Sequence, residues 1–174
     1  MGCRDWDLFI EDFESLWPTG HEKIDVDSVH RGLCGNGAAR KGNPRWRRIT
    51  EIRARGAKSV FHFDVLGSVA KSTHAGLPWL LHIRRSMTGR VHFWPFDGWS
   101  IPPGRSAVVE AYPALWSGRF PRGDRDQHQH DAYAIAEWMR RADADGSLTS
   151  FLNPVLSMEE RKTASFEGWI LGVA

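Results

Sequence analysis

Trp6, Phe9, Ile10, Phe13, Leu16 and Trp17 recur at three- and four-residue intervals with Asp7, Glu11, Asp12 and Glu14 between them. That is the spacing of a helix with one apolar face. Asp5 stands at its N-cap position, the acidic first turn suits the positive end of the helix dipole, and Pro18 and Gly20 end the pattern. Residues 19–57 then read as a long polar and basic connection, with Gly35-Asn36-Gly37 as a turn. No strand precedes that Gly-x-Gly and a third glycine is missing, so a dinucleotide fingerprint is not supported.

Two-residue alternation takes over afterwards. Val60-Phe61-His62-Phe63 predicts a strand bounded by Gly56 and Gly67, and Arg90-Val91-His92-Phe93-Trp94 predicts a second one ending at Pro95. Pro78 is placed in the first turn of a helix on which Leu77, Leu80, Leu81 and Ile83 pack inward. Pro102-Pro103-Gly104 turns into a third strand around Val108-Val109, whose β-branched run ends at Pro113. The short link between the second and third strands predicts neighbours, most simply antiparallel. Ala132, Ile135, Ala136 and Met139 mark an amphipathic helix with Asp131 in its first turns. The closing Trp169-Ile170-Leu171-Gly172-Val173 reads as an edge strand or a packed tail.

Composition narrows the class without naming a partner. The chain has 174 residues, 41% hydrophobic and 25% charged, which is enough for a single domain with a real core. Nine tryptophans supply large faces for packing or for a groove. A net charge of +2 is too mild to indicate nucleic acid from totals alone. Cys3 and Cys34 form no Cys-x-x-Cys pair, so neither a zinc ribbon nor a disulfide framework is predicted. No apolar run approaches membrane-spanning length, and the acidic start does not read as a signal peptide; a cytoplasmic protein without a membrane partner is the expectation.

The candidate chemistry lies in three places. Glu110 sits at a strand exit just before a proline, and Asp131 follows on a helix. Carboxylates on separate rigid elements are what a hard cation such as Mg²⁺ or Mn²⁺ requires, so both are candidate metal ligands and catalytic residues. Arg45, Trp46, Arg47 and Arg48 head a basic cluster that also includes Arg40, Lys41, Arg53, Arg55 and Lys58, opposed only by Glu51. Guanidinium groups beside an indole suit a phosphate backbone with stacked bases. The same stretch also fits a solvated helix face with Trp46, Ile49 and Ile52 turned inward. His128 and His130 lie beside Asp124, Asp126 and Asp131, but i and i+2 do not share a helix face; a polar helix entry capped by Asp124 or Asp126 explains them better. Gly67-Ser68-Val69-Ala70-Lys71-Ser72 is too short before its lysine to be a phosphate loop.

Val108-Val109-Glu110-Ala111-Tyr112-Pro113, His130-Asp131-Ala132-Tyr133-Ala134-Ile135-Ala136 and Phe166-Glu167-Gly168-Trp169-Ile170-Leu171-Gly172 resemble, in that order, segments of the domain-of-unknown-function family 429, described as predicted RNase H-like nucleases. Lys58-Ser59-Val60-Phe61, Gly76-Leu77-Pro78-Trp79-Leu80 and Trp94-Pro95-Phe96-Asp97 are similar to its middle section. The resemblance implies an α/β (α+β) chain: an RNase H-like mixed sheet flanked by helices, spanning 1–174 as one partial domain. It implies a divalent-metal nuclease in which Glu110 and Asp131 match the second and third acidic positions. The family's first strands, with their Asp, have no counterpart before Trp6, so the chain reads as N-terminally truncated, which weakens the case for catalysis. Two function classes stay open: a metal-dependent nuclease acting through Glu110 and Asp131, active or inactivated by the missing Asp, and a non-catalytic nucleic-acid- or partner-binding module. A sheet edge left open in this way predicts a homo-oligomer or a covering partner.

Overall fold

The computed structural model describes residues 5–16, 45–54, 56–62 and 68–174. Trp17, Pro18, Gly20, Cys3, Cys34, the Gly35-Asn36-Gly37 turn, Arg40, Lys41, Arg55, Phe63 and Gly67 lie outside them. Helix α1 (Trp6–Leu16) begins as its sequence dictates, with the Asp5 Oδ1 accepting the Asp7 N–H at 2.8 Å. Trp6 and Ile10 are buried against Leu81 and Phe93, which tie α1 to helix α3 (Ala70–Ser86) and strand β1 (Val91–Phe93).

Charge fixes the same contact from outside. Arg84 on α3 reaches Asp7 at 2.8 Å and Asp97 at 2.6 Å, and its guanidinium lies over the Trp6 ring at 5.3 Å. Burial opposes the Asp97 charge, but the Arg84 hydrogen bond and the Phe93 N–H outweigh it, and the carboxyl titrates below its ordinary value. A depressed carboxylate contributes stability that is present above its unfolded pKa and is lost as pH falls through the folded one. Melting temperature should therefore drop through the acid range more steeply in the wild type than in Asp97→Asn. Parallel acid profiles would remove Asp97 from the account.

Chain pairing is parallel throughout the described residues. Strand β2 (Ser106–Val108) runs beside β1 in the register Val91↔Ser106, and β3 (Glu110–Ala111) beside β4 (Ile170–Leu171) in the register Glu110↔Ile170. Only Val109 separates β2 from β3, so one extended run serves both pairs. The antiparallel expectation for β1 and β2 fails because the 94–105 connection is not a hairpin. A turn at 93–97 reverses the chain, with the Asp97 N–H on the Phe93 carbonyl at 2.8 Å, and the remaining residues carry it back to β1's own starting end. The closing segment becomes a strand, as one of its two readings held.

Two further expectations are corrected. Residues 60–62 form a turn and not a strand. Their backbone donors are already taken, since the Val60 N–H goes to Glu51 Oε1 at 3.0 Å, the Phe61 N–H to Ser59 Oγ at 3.0 Å and the His62 N–H to the Ser59 carbonyl at 3.1 Å. Pro78 lies inside α3 and not in its first turn, buried with Ala70, Ala75 and Leu81; packing of that face holds the helix through the missing N–H.

Helix α4 (Gln127–Ala144) starts at a capping box in which Asp126 accepts the Gln129 N–H at 2.8 Å and Gln129 accepts the Asp126 N–H at 3.1 Å. It buries Ala134 and presents Trp138 and Ala142 to the main core, where Trp138 stacks on Trp116 at 3.8 Å beside Trp169, Ile170 and Leu171. Helices α5 (Leu148–Leu152) and α6 (Met158–Glu167) close that core, and α6 delivers the chain to β4. The result is a mixed α and β architecture with small sheets, and among the described residues no helix is long and apolar enough to cross a membrane.

Candidate functional site

The segment that organises the site is the short helix α2 (Ile49–Arg53); of the expected inward set Ile49 packs against the main core, but elsewhere along the stretch apolar and polar residues exchange places. Ile52 is 62% exposed and Trp46 60% exposed, while Thr50 and Glu51 are buried. Hydrogen bonding explains the exchange. The Thr50 hydroxyl accepts the Ile170 N–H at 2.9 Å, satisfying the first residue of β4. The Glu51 carboxylate, 1% exposed, accepts the Arg48 N–H at 3.0 Å, the Arg48 Nε–H at 2.9 Å and the Val60 N–H at 3.0 Å. A buried carboxylate with this many donors, one of them cationic, is compensated for its lost hydration.

Arg48 relays that network to the sheet. Its two terminal nitrogens grip Glu110 in a bidentate pair, 2.7 Å to each oxygen, and Nη1 also donates to the Glu167 carbonyl at 3.3 Å. The Glu167 carboxylate in turn accepts the Ile49 N–H at 3.0 Å. The Arg48 side chain is only 12% exposed, whereas Glu110 keeps 40% at the strand end. Burial works against the guanidinium charge, but the hydrogen bonds and charge of Glu110, and then those of Glu51, more than offset it, so Arg48 titrates above its ordinary range.

The candidate carboxylates are held by different partners. Glu110 has both oxygens on Arg48. Asp131 Oδ1 accepts from the Ser117 hydroxyl at 2.8 Å and from the Gln127 amide at 2.9 Å. Among the described residues no group of three or more His, Cys, Asp or Glu side chains is arranged to hold a metal ion. As they stand, the residues do not fit a shared Mg²⁺ or Mn²⁺ site, because a guanidinium already neutralises Glu110. His130 is buried with Nε2 against the Ser117 carbonyl at 3.0 Å, and His128 is exposed on the capped helix entry.

The basic candidates separate into two kinds. Arg48 faces inward, as described. Arg45, Trp46 and Arg47 are exposed, with the Arg47 guanidinium donating to the Ala57 carbonyl and the Trp46 ring edge-on to Phe61 at 6.2 Å. Lys58 is exposed on the same stretch, and the partly open Phe61 ring completes an aromatic pair at the surface.

Behind Arg48 and Glu110 lies a cavity of about 790 Å³ between α1, α3, the strands and α6. Trp6, Phe9, Phe13, Phe93, Phe96 and Phe166 supply much of its wall. Glu51, Glu167 and the cavity were not read from the sequence. Only Glu51's isolation among basic residues, and Glu167 within its glycine- and aromatic-flanked segment, were local signals. Comparison with family models, with curated proteins and with solved structures gives no match to this chain.

Proposed function

We propose that the chain is a non-catalytic, single-stranded nucleic-acid-binding module of RNase H-like build, whose contact surface is the 45–61 stretch. The observation that carries this is the exposed Trp46–Phe61 pair flanked by Arg45, Arg47 and Lys58, held on a segment whose own backbone is anchored by buried Glu51. Aromatic faces offer stacking to any base, and the cations track phosphate, so affinity without strong sequence preference is the expected mode. The RNase H-like build is the finer reading of the mixed architecture. It is supported by parallel pairing around the 106–111 run and by Asp131 on the long helix that follows it.

Anisotropy of a labelled single-stranded oligonucleotide at stepped salt tests this. Trp46→Ala should cost about 1–3 kcal/mol of binding. Arg45→Ala with Arg47→Ala should flatten the log-affinity against log-salt slope by about 0.7 per lost phosphate contact. Absence of wild-type binding at low salt ends the proposal.

A hydrolytic reading keeps one observation in its favour, the half-open carboxylate of Glu110, the first residue of β3. It needs Arg48 to release Glu110 so that Glu110 and Asp131 share Mg²⁺ or Mn²⁺. Under the binding-module reading these ions leave the melting temperature unchanged. A rise that disappears in Glu110→Gln with Asp131→Asn would favour the nuclease instead.

A further inference from the structure

The cavity beside Arg48 has the volume of a small-molecule site, where typical ligand pockets run about 300–1,000 Å³ and are mostly apolar with a few polar groups. Its charge is unbalanced. Among the described residues, the ionisable side chains in its wall are Arg48, Glu110, Glu167 and His74. Burial lowers the His74 pKa, so that ring is neutral at neutral pH, and it lies edge-on to Phe13 at 4.8 Å. Arg48 is engaged with the carboxylates of Glu110 in front and Glu51 behind, and the third carboxylate, that of Glu167, sits on the Ile49 N–H and has no pairing with the guanidinium among the contacts of Arg48. An anionic guest would meet an excess of negative charge and a guanidinium with four of its five donors engaged. A wholly apolar guest would strip water from Glu110 and Glu167 without replacing it.

We infer that this cavity binds an organic ammonium ion with an aromatic body, its cationic head at Glu110 and Glu167 and its ring among Trp6, Phe93 and Phe96. The carboxylate oxygens of Glu110 each hold a second lone pair beyond the Arg48 bond, and Glu167 has a second oxygen beyond the one that accepts Ile49 N–H. Gly168 brings backbone close to this end, since a Cβ there would stand 3.1 Å from Phe96 and 3.5 Å from Arg48, and its φ of +81° suits glycine. Of the residues in the nucleic-acid reading, Phe61 also lines the cavity, whereas Arg45, Trp46 and Arg47 do not, so the cavity is tested through Glu110 and Gly76.

Three probes of one shape test it by titration calorimetry on the full chain: 4-phenylbutylammonium, 4-phenylbutanol and 4-phenylbutyrate. The ammonium should bind at least tenfold more tightly than the alcohol, and the carboxylate least. Glu110→Gln should weaken the ammonium about tenfold, leave the alcohol unchanged and improve the carboxylate, because Arg48 loses its main partner. Gly76→Leu supplies the second arm. Gly76 lines the cavity within α3, and a Cβ there would meet nothing within 4 Å. Its φ is not positive, so leucine raises helix propensity while filling the space. That variant should fold and lose all three probes. Equal affinity for ammonium and alcohol, tighter carboxylate, no binding of any probe, or full binding in Gly76→Leu would each overturn the inference.

Discussion

Glu51→Ala is expected to destabilise the protein by about 3–5 kcal/mol, the cost of breaking a buried ion pair by removing one member. That is a large part of the roughly 5–15 kcal/mol that holds a typical domain together. The magnitude follows from what the carboxylate leaves behind. Arg48 loses the partner of its Nε–H and of its backbone N–H, and the Val60 N–H loses its acceptor. Thr50 is the neighbour that receives the Ile170 N–H, so loosening α2 also loosens the start of β4. Glu51→Gln keeps the shape and one acceptor oxygen but not the charge, and should cost roughly 2 kcal/mol, as for a lost hydrogen bond to a charged group. Denaturant midpoints at constant slope are the measurement. A Glu51→Ala loss under about 1 kcal/mol, well below the buried-pair range, would show that water reaches this network and that its burial is not what holds the segment.

That network also marks the boundary of what local pattern reveals. The apolar face of α1, its Asp5 cap, the Asp126 cap of α4 and the extended run through Val108 were all legible, because each is set by residues within a few positions of one another. Glu110 at a strand end was legible for the same reason. Its partner was not, since Arg48 lies 62 positions away and its cluster reads as a solvated basic stretch. Thr50 and Glu51 look like surface residues to any periodicity rule, and they are buried because distant backbone N–H groups need acceptors. Val60 to His62 alternates like a strand, yet Glu51 and Ser59 take its donors. Pro78 looks like a helix start because the preference for a first-turn proline is local, while burial of Ala70, Ala75 and Leu81 is not. The parallel pairing of β1 and β2 depends on how the 93–97 turn redirects the chain, which strand propensities do not encode.

Gly172→Ala should be the more damaging of two glycine substitutions that look alike in the backbone. Gly172 at φ +92° and Gly89 at φ +76° both occupy the left-handed half of the map, where a side chain costs about 1–2 kcal/mol. A Cβ at Gly89 meets nothing within 4 Å, so Gly89→Ala should lose that amount and no more. At Gly172 the same atom would stand 2.4 Å from Trp116 Cζ2 and 3.2 Å from Trp138 Cη2. The indoles cannot simply retreat. They are stacked on each other at 3.8 Å, Phe151 meets both edge-on, and the Arg119 guanidinium covers Trp116 at 4.5 Å. Forcing them apart adds an overpacking cost of about 1–3 kcal/mol, and because Gly172 directly follows β4, the displacement is transmitted to the strand that pairs with Glu110. Gly172→Ala should therefore lose stability beyond Gly89→Ala and also change the near-ultraviolet dichroism of the stacked tryptophans, which Gly89→Ala should leave intact. Trp116→Phe in the Gly172→Ala background makes room for the methyl group, so the two changes together should cost less than their sum. Strict additivity would mean that the ring and the glycine do not meet.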